Sequence, residues 1–151
     1  GDFLVGYALA FGLVAAVQSA LAVTLSIWAL DLDVDGPVWL LLVVAVVDAV
    51  LGSALGLFVS AFARTEFQAV QFMPALVVPQ ILLCGLFVHR DDLPPVLHTI
   101  SDLLPLSYAV DAMRKVAGDA NPDVWGDLGL VAAFAVAGLV LGALTLQRQS
   151  E

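Results

Sequence analysis

Apolar residues in this chain come in four long runs, separated by stretches where charges, glycines and prolines collect. A helix needs about 20 mostly apolar residues to cross the hydrocarbon of a bilayer. The run from Tyr7 to Leu30 meets that length, with only Gln18, Ser19, Thr24 and Ser26 as polar interruptions. The acidic stretch Asp31-Leu32-Asp33-Val34-Asp35-Gly36-Pro37 is too polar for hydrocarbon, and its Gly-Pro pair ends one helix and sets up the next. A second run extends from Val38 to Ala63. After the polar stretch from Arg64 to Gln68, a third goes from about Phe72 to Val88, just long enough to span. Pro74 and Pro79 inside it predict a kinked or broken helix. The fourth run, Leu128 to Leu146, is rich in Ala, Val, Leu and Gly and stops at Gln147-Arg148-Gln149.

The stretch between the third and fourth runs is too apolar for a solvated loop. Leu93, Val96, Leu97, Ile100, Leu103, Leu104, Leu106, Val110 and Met113 recur at intervals of three and four. Those intervals predict two short amphipathic helices, about Leu93 to Leu103 and Leu106 to Ala117, punctuated by Pro94-Pro95 and Pro105. Such a pair either lies on the interface as a cap or dips into the bundle; a re-entrant pair implies a cavity, because lipid cannot satisfy non-helical backbone.

Composition names the solvent. Of 151 residues 62% are hydrophobic and 13% charged, and the mean hydropathy is +1.03. A water-soluble domain built this way lacks the polar side chains to cover itself. The fold expected is therefore an all-α membrane protein with four transmembrane helices and a re-entrant or interfacial helical hairpin between the third and fourth. These form a single transmembrane domain over residues 1–151. Lys+Arg 5 against Asp+Glu 14 gives a formal charge of -9, which excludes the basic face that nucleic acid requires. The lone cysteine, Cys84, rules out an intrachain disulfide. The chain opens at Gly1 with neither Met nor a leader pattern, so it reads as an excised piece.

Four crossings put both ends of the chain on one side. Arg64 and Arg148 fall on that side and the Asp-rich loop carries no cation, which places both ends in the cytoplasm. Arg90, Arg114 and Lys115 lie in the long opposite segment, where charges weigh less.

Asp48, near the middle of the second run, is the only acid at membrane depth, where a charged side chain is costly unless it faces the bundle interior, water or a partner. It either lines a path and attracts cations or, protonated or hydrogen-bonded, stabilises helix packing. Gln18 and Gln80 read as interhelical hydrogen-bond links. Gly52 with Gly56, and Gly138 with Gly142, have the spacing that lets helix backbones approach closely. Asp111 and Arg114, three apart, read as a surface ion pair.

Enzyme readings fail on geometry. No His lies within the four runs, Asp48 has no second carboxylate beside it, and no phosphate-cradling G-x-x-x-x-G-K-[ST] loop occurs. His89, Asp91, Asp92, His98 and Asp102 match no tight zinc-ligand spacing. The chain is not an enzyme on this reading, no metal or cofactor is implied, and any energy source is a partner's.

Three blocks occur in a distinctive order: Gly56-Leu57-Phe58-Val59-Ser60-Ala61-Phe62-Ala63-Arg64-Thr65-Glu66-Phe67-Gln68-Ala69-Val70-Gln71, then Cys84-Gly85-Leu86-Phe87-Val88-His89-Arg90-Asp91-Asp92-Leu93-Pro94, then Leu104-Pro105-Leu106-Ser107-Tyr108-Ala109-Val110-Asp111-Ala112-Met113-Arg114. This order resembles the C-terminal part of a type-2 ATP-binding-cassette (ABC) transporter permease, nearest the daunorubicin-resistance type of bacterial drug exporter. The resemblance covers nearly the whole chain. It implies six membrane helices per subunit, of which the four runs are the last four. Two permease subunits, expected as a homodimer, work with two separate nucleotide-binding subunits. It also implies re-entrant helices between the last two spans, which favours the cavity reading of residues 93–117.

The implied function is a permease subunit in the bacterial inner (plasma) membrane, moving a hydrophobic or amphiphilic, drug-like compound outward by alternating access while a separate subunit hydrolyses ATP. Asp48, Gln80, Gly52 and Gly56 are then expected on the translocation path or subunit interface, and Phe87, His89, Leu93, Pro105 and Tyr108 at an external gate. His89 departs from the family, whose members often carry Pro there, and puts a titratable group in the turn. The alternative is a non-transporting membrane assembly or scaffold protein.

Overall fold

The computed structural model describes residues 2–63 and 65–149, with side chains described for residues 10, 12–60, 62, 63, 65, 67, 68, 70–142 and 145. Six helices follow in order: α1 (Asp2–Trp28), α2 (Val38–Phe62), α3 (Glu66–Leu83), α4 (Pro95–Asp102), α5 (Pro105–Gly118) and α6 (Trp125–Gln149). A single 3-10 turn, Arg90–Asp92, stands between α3 and α4, and no strand occurs among the described residues. Arg64 and the side chain of Arg148, on which the orientation reading rests, lie outside the described residues.

Local chemistry explains the boundaries. Pro37 caps α2 in extended backbone, and Pro95 and Pro105 open α4 and α5, where a helix has no use for an amide N–H. Thr65 caps α3 by accepting the Gln68 N–H at 3.2 Å. That cap starts α3 at Glu66, ahead of the expected Phe72. α3 also ends earlier than expected, at Leu83, because Gly85 turns the chain at φ 93°. Nor is α3 broken at its prolines: it runs on through Pro74 and Pro79. Each proline removes one intrahelical hydrogen bond, a loss that membrane helices tolerate where neighbouring groups or a local adjustment of the helix satisfy the freed carbonyl.

Two helices among the described residues, over Val38–Ser60 and Trp125–Gly142, are long and apolar enough to cross a membrane. The apolar parts of α1 and α3, Gly12–Trp28 and Val70–Leu83, are shorter. Two of the four expected spans thus meet this test among the described residues.

α2 is the hub. It lies against α6 along most of its length and also touches α1, α3 and α5. The α2–α6 seam is tight because Gly138 sits against Ala54 and Gly142 against the Phe58 backbone, with 3.5 Å between each position's would-be Cβ and its neighbour. Gly52, which the spacing marked for close approach, meets nothing, and Gly56 meets only the Met73 side chain.

α5 fills the groove between α2 and α6. Its Ala112 and Val116 pack with Val23, Leu40, Leu41, Val44, Val124 and Leu128. Its Ala109 packs with Leu51, Ala54, Val131 and Ala135. Outside this core the apolar side chains point away from the protein: Leu13, Val17, Leu21 and Leu25 of α1, Val77, Val78 and Leu82 of α3, and Val136, Val140 and Leu141 of α6 are all exposed. Surfaces of this kind need lipid rather than water around them.

The loop from Asp31 to Pro37 closes the end of α5. The Asp35 and Gly36 N–H groups donate to the carbonyls of Ala117 and Val116, both at 3.0 Å, satisfying acceptors that the end of a helix leaves open. A Cβ at Gly36 would stand 2.4 Å from the Val116 oxygen and 2.8 Å from that of Asp119. Both neighbours are backbone, so neither can yield without moving α5. Gly36→Ala is therefore expected to destabilise the full-length protein by about 1–3 kcal/mol, the usual cost of overpacking. Thermal unfolding in detergent reads this directly; an unchanged midpoint shows that the loop is not seated on α5.

Candidate functional site

The polar side chains of the middle of the chain gather where α3, the 3-10 turn, α4 and α5 meet. Arg90 is at the centre. Its guanidinium donates to Asp102 at the end of α4 and to Asp111 on α5, and it lies over the Tyr108 ring at 5.5 Å. Its side chain is 14% exposed. Burial disfavours its charge, but the bonds and fields of Asp111 and Asp102 outweigh that and hold its pKa above the ordinary arginine value. The Arg90 guanidinium therefore keeps its charge. His98 extends it, with Nδ1 3.3 Å from the second Asp102 oxygen. One Arg90 atom is unspent: Nε is buried and has no hydrogen-bond partner.

A second set of bonds supports the backbone at the turns. Ser101 donates to the Leu83 carbonyl at 2.8 Å and stands 3.1 Å from the Ser107 hydroxyl. The Tyr108 hydroxyl donates to the Asp102 carbonyl at 2.6 Å. Arg114 donates to the Gly85 carbonyl. Lys115 joins α5 to α6 through Asp127 at 2.6 Å. The Asp111–Arg114 pair expected from their spacing does not form: Asp111 turns to Arg90, and Arg114 turns to Gly85. A carbonyl freed by a positive-φ glycine and a buried cation that needs a counter-ion are stronger claims than a surface pairing three residues apart.

Beside this cluster opens a cleft of about 250 Å³ lined by His89, Arg90, Asp91, His98, Asp111 and Arg114. Among the described residues no three metal-binding side chains come together.

The residues singled out in the sequence divide into two groups. His89, Pro105 and Tyr108 belong to this region: His89 lines the cleft, Pro105 is buried at the start of α5, and Tyr108 is fixed under Arg90. Leu93 follows the 3-10 turn half-buried, and Phe87 projects at 72% exposure. Asp48 and Gly52 lie apart, one helical turn from each other on α2, with Gly56 a turn further. Asp48 is partly buried and has no hydrogen-bond or ion-pair partner among the described residues. Gln80 is 5% exposed and its amide bonds back to the Leu76 carbonyl of its own helix at 3.5 Å, so among the described residues it does not bridge helices. Arg90, Asp102, Asp111 and Arg114 were missed as a group. Their signal was two arginines within an otherwise apolar, cation-poor chain.

Replacing Arg90 by Gln is expected to cost about 1–3 kcal/mol, the range for a hydrogen bond to a charged group, reduced because both carboxylates are partly exposed. A double-mutant cycle with Asp111→Asn, read by unfolding in detergent, should return a coupling above about 0.5 kcal/mol. Strict additivity of the two changes contradicts the tie.

Comparison with known proteins agrees with this architecture. The chain is 23% identical over 145 residues to the linearmycin resistance permease protein LnrN of Bacillus subtilis, covering 94% of this chain and 37% of that protein. It is 24% identical over 139 residues to ABC transporter G family member 20 of Dictyostelium discoideum, covering 89% and 19% respectively. With Nodulation protein J of Rhizobium leguminosarum bv. trifolii it shares 30% identity over 116 residues, covering 74% and 44%. The chain thus spans less than half the length of these relatives. No solved structure matches it. The family description that fits is ABC-2 type transporter, matched over residues 1–117. By that match the chain belongs to the ABC-2 type transporter family.

Proposed function

We propose that the whole protein is the permease subunit of an ABC exporter, moving a hydrophobic or amphiphilic, drug-like compound out of a bacterial cell while a separate ATPase subunit supplies the energy. The observation that carries this reading is family membership over residues 1–117, joined to the likeness to a permease named for resistance. On this reading α1, α2, α3 and α6 are four spans of a permease that pairs with a second copy of itself. Both ends of the chain face the cytoplasm.

The depth of α5 supports a re-entrant hairpin over an interfacial cap. Ala109 packs at the level of Leu51 and Ala54. Counting from Val38 at 1.5 Å per residue, that level is roughly 20 Å along α2, well into a hydrocarbon core of about 30 Å. The α4–α5 hairpin is then the external gate, shaped by Phe87, His89, Leu93, Pro105 and Tyr108, with Arg90 holding it shut. Asp48, Gln80, Gly52 and Gly56 are assigned to the path or to the subunit interface. Partner ATP binding repacks the two permease subunits and releases the bound compound outward.

The test is co-purification of the full-length protein with its candidate ATPase in nanodiscs, assaying ATP hydrolysis with and without amphiphilic drugs. A stable complex with drug-stimulated turnover is expected. A folded, membrane-inserted protein that binds no ATPase turns the reading to a scaffold. With Asp48 in the path, Asp48→Asn should reduce export of cationic compounds by about tenfold more than neutral ones, about 1.4 kcal/mol of lost attraction. Equal loss for both removes Asp48 from the path.

A further inference from the structure

The cleft beside Arg90 holds charges that the protein itself does not use. Of the three cations whose side chains are described, Lys115 is paired with Asp127 and Arg90 with Asp102 and Asp111, whereas Arg114 has only the Gly85 carbonyl. A guanidinium carries five N–H donors, so most of those of Arg114 are unspent. Arg90 Nε, buried and unpartnered, is a further donor in the same cluster. Asp91, on the cleft wall, is exposed and has no partner among the described residues.

The wall therefore presents an open cation and an open anion together. Its two arginines are balanced by Asp91 and Asp111, and Asp102 stands behind Arg90. A simple anion finds no net positive field there, but a ligand with both signs can pair each charge with its opposite. The surroundings add an apolar component. Leu86, Phe87 and Val88, just before the cleft residues, are exposed, as are Val77, Val78 and Leu82 on the last turns of α3. The polar cleft opens where an outward-facing apolar helix ends, and Arg114 lies between Ala112 and Val116, which pack with Leu40, Leu41 and Val44, nearer the membrane surface than Ala109; this suits a lipid headgroup with its chains along the helix.

We propose that this cleft binds the headgroup of a zwitterionic phospholipid, phosphatidylethanolamine, with the phosphate on Arg114 and the ammonium on Asp91. Phosphate accepts several hydrogen bonds from a guanidinium, and a primary ammonium donates to a carboxylate. The lipid holds the turn after α3 against α5, at the place where Arg114 already grips Gly85. The proposal rests on the permease reading only in requiring a bilayer.

Native mass spectrometry of the full-length protein, without nucleotide or ATPase, tests it by titration with palmitoyl-oleoyl phosphatidylethanolamine and, separately, phosphatidylglycerol of the same chains. Wild type should bind phosphatidylethanolamine at least about fivefold more tightly. Arg114→Gln, whose amide can still donate to Gly85, should weaken that binding about tenfold, the scale of one charge-assisted bond. Asp91→Asn changes an exposed side chain and should bring the two lipids near parity. Equal affinity of wild type and Arg114→Gln for phosphatidylethanolamine overturns the site, as does a wild-type preference for phosphatidylglycerol. Soluble phosphoethanolamine binding as tightly as the lipid overturns the membrane assignment. Because no ATPase is present, these outcomes are independent of whether the exporter reading holds.

Discussion

A helix that stops in apolar surroundings leaves its last carbonyls without acceptable partners, since lipid offers no donors and water is scarce. The segment between α3 and α6 makes several such stops, and some of the carbonyls they expose are answered from within the chain. The Leu83 carbonyl receives the Ser101 hydroxyl, the Gly85 carbonyl receives Arg114, and the Asp102 carbonyl receives the Tyr108 hydroxyl. The Val116 and Ala117 carbonyls receive the N–H groups of Gly36 and Asp35. Three polar side chains, Ser101, Tyr108 and Arg114, serve this task. Arg90 then joins the supported pieces, because one guanidinium fork can reach a carboxylate on α4 and another on α5 at once.

Much of this was legible beforehand for a simple reason: apolar runs and helix-starting prolines are local signals. The two short helices expected about Leu93 to Leu103 and Leu106 to Ala117 are found as Pro95–Asp102 and Pro105–Gly118. What was not legible depends on contacts between residues distant in sequence. Nothing local indicates that Arg90 meets carboxylates 12 and 21 residues away. The local rule for Asp111 and Arg114 gave the wrong pair, since it counts spacing on one helix and ignores buried groups on the next. The glycine spacings are a similar case. They mark surfaces that permit close approach, but only packing decides that Gly138 and Gly142 use it against α2 and that Gly52 does not. The third apolar run extends to Val88 because Leu86, Phe87 and Val88 are apolar, whereas the left-handed backbone of Gly85 stops the helix ahead of them.

The two walls of the Arg90 cluster are held to different degrees. α5 buries Pro105, Ser107, Ala109, Val110, Ala112 and Val116 and belongs to the same packed body as α2 and α6. On α3, Gln80 alone among the described side chains is buried, and its neighbours point outward along most of the helix. Among the described residues α3 buries fewer side chains than α1, α2 or α6. Arg90, which follows α3 in the chain and pairs with α4 and α5, therefore ties a loosely held element to a firmly held one.

That asymmetry gives the proposed gate a physical basis. Packed cores resist gradual deformation and tend to move as units, so a shape change goes to the joints between them. The α2–α5–α6 body is packed through apolar side chains, with two close glycine contacts between α2 and α6, and such contacts lose their energy abruptly if separated. The joint at Arg90 instead consists of ion pairs with partly exposed carboxylates, a ring contact and a few side-chain-to-carbonyl bonds. Each can re-form with other partners or with water at a cost of about 1 kcal/mol. In a permease driven from the far side of the membrane, α3 is thus expected to part from the α4–α5 hairpin along this line while α5 stays with α2 and α6.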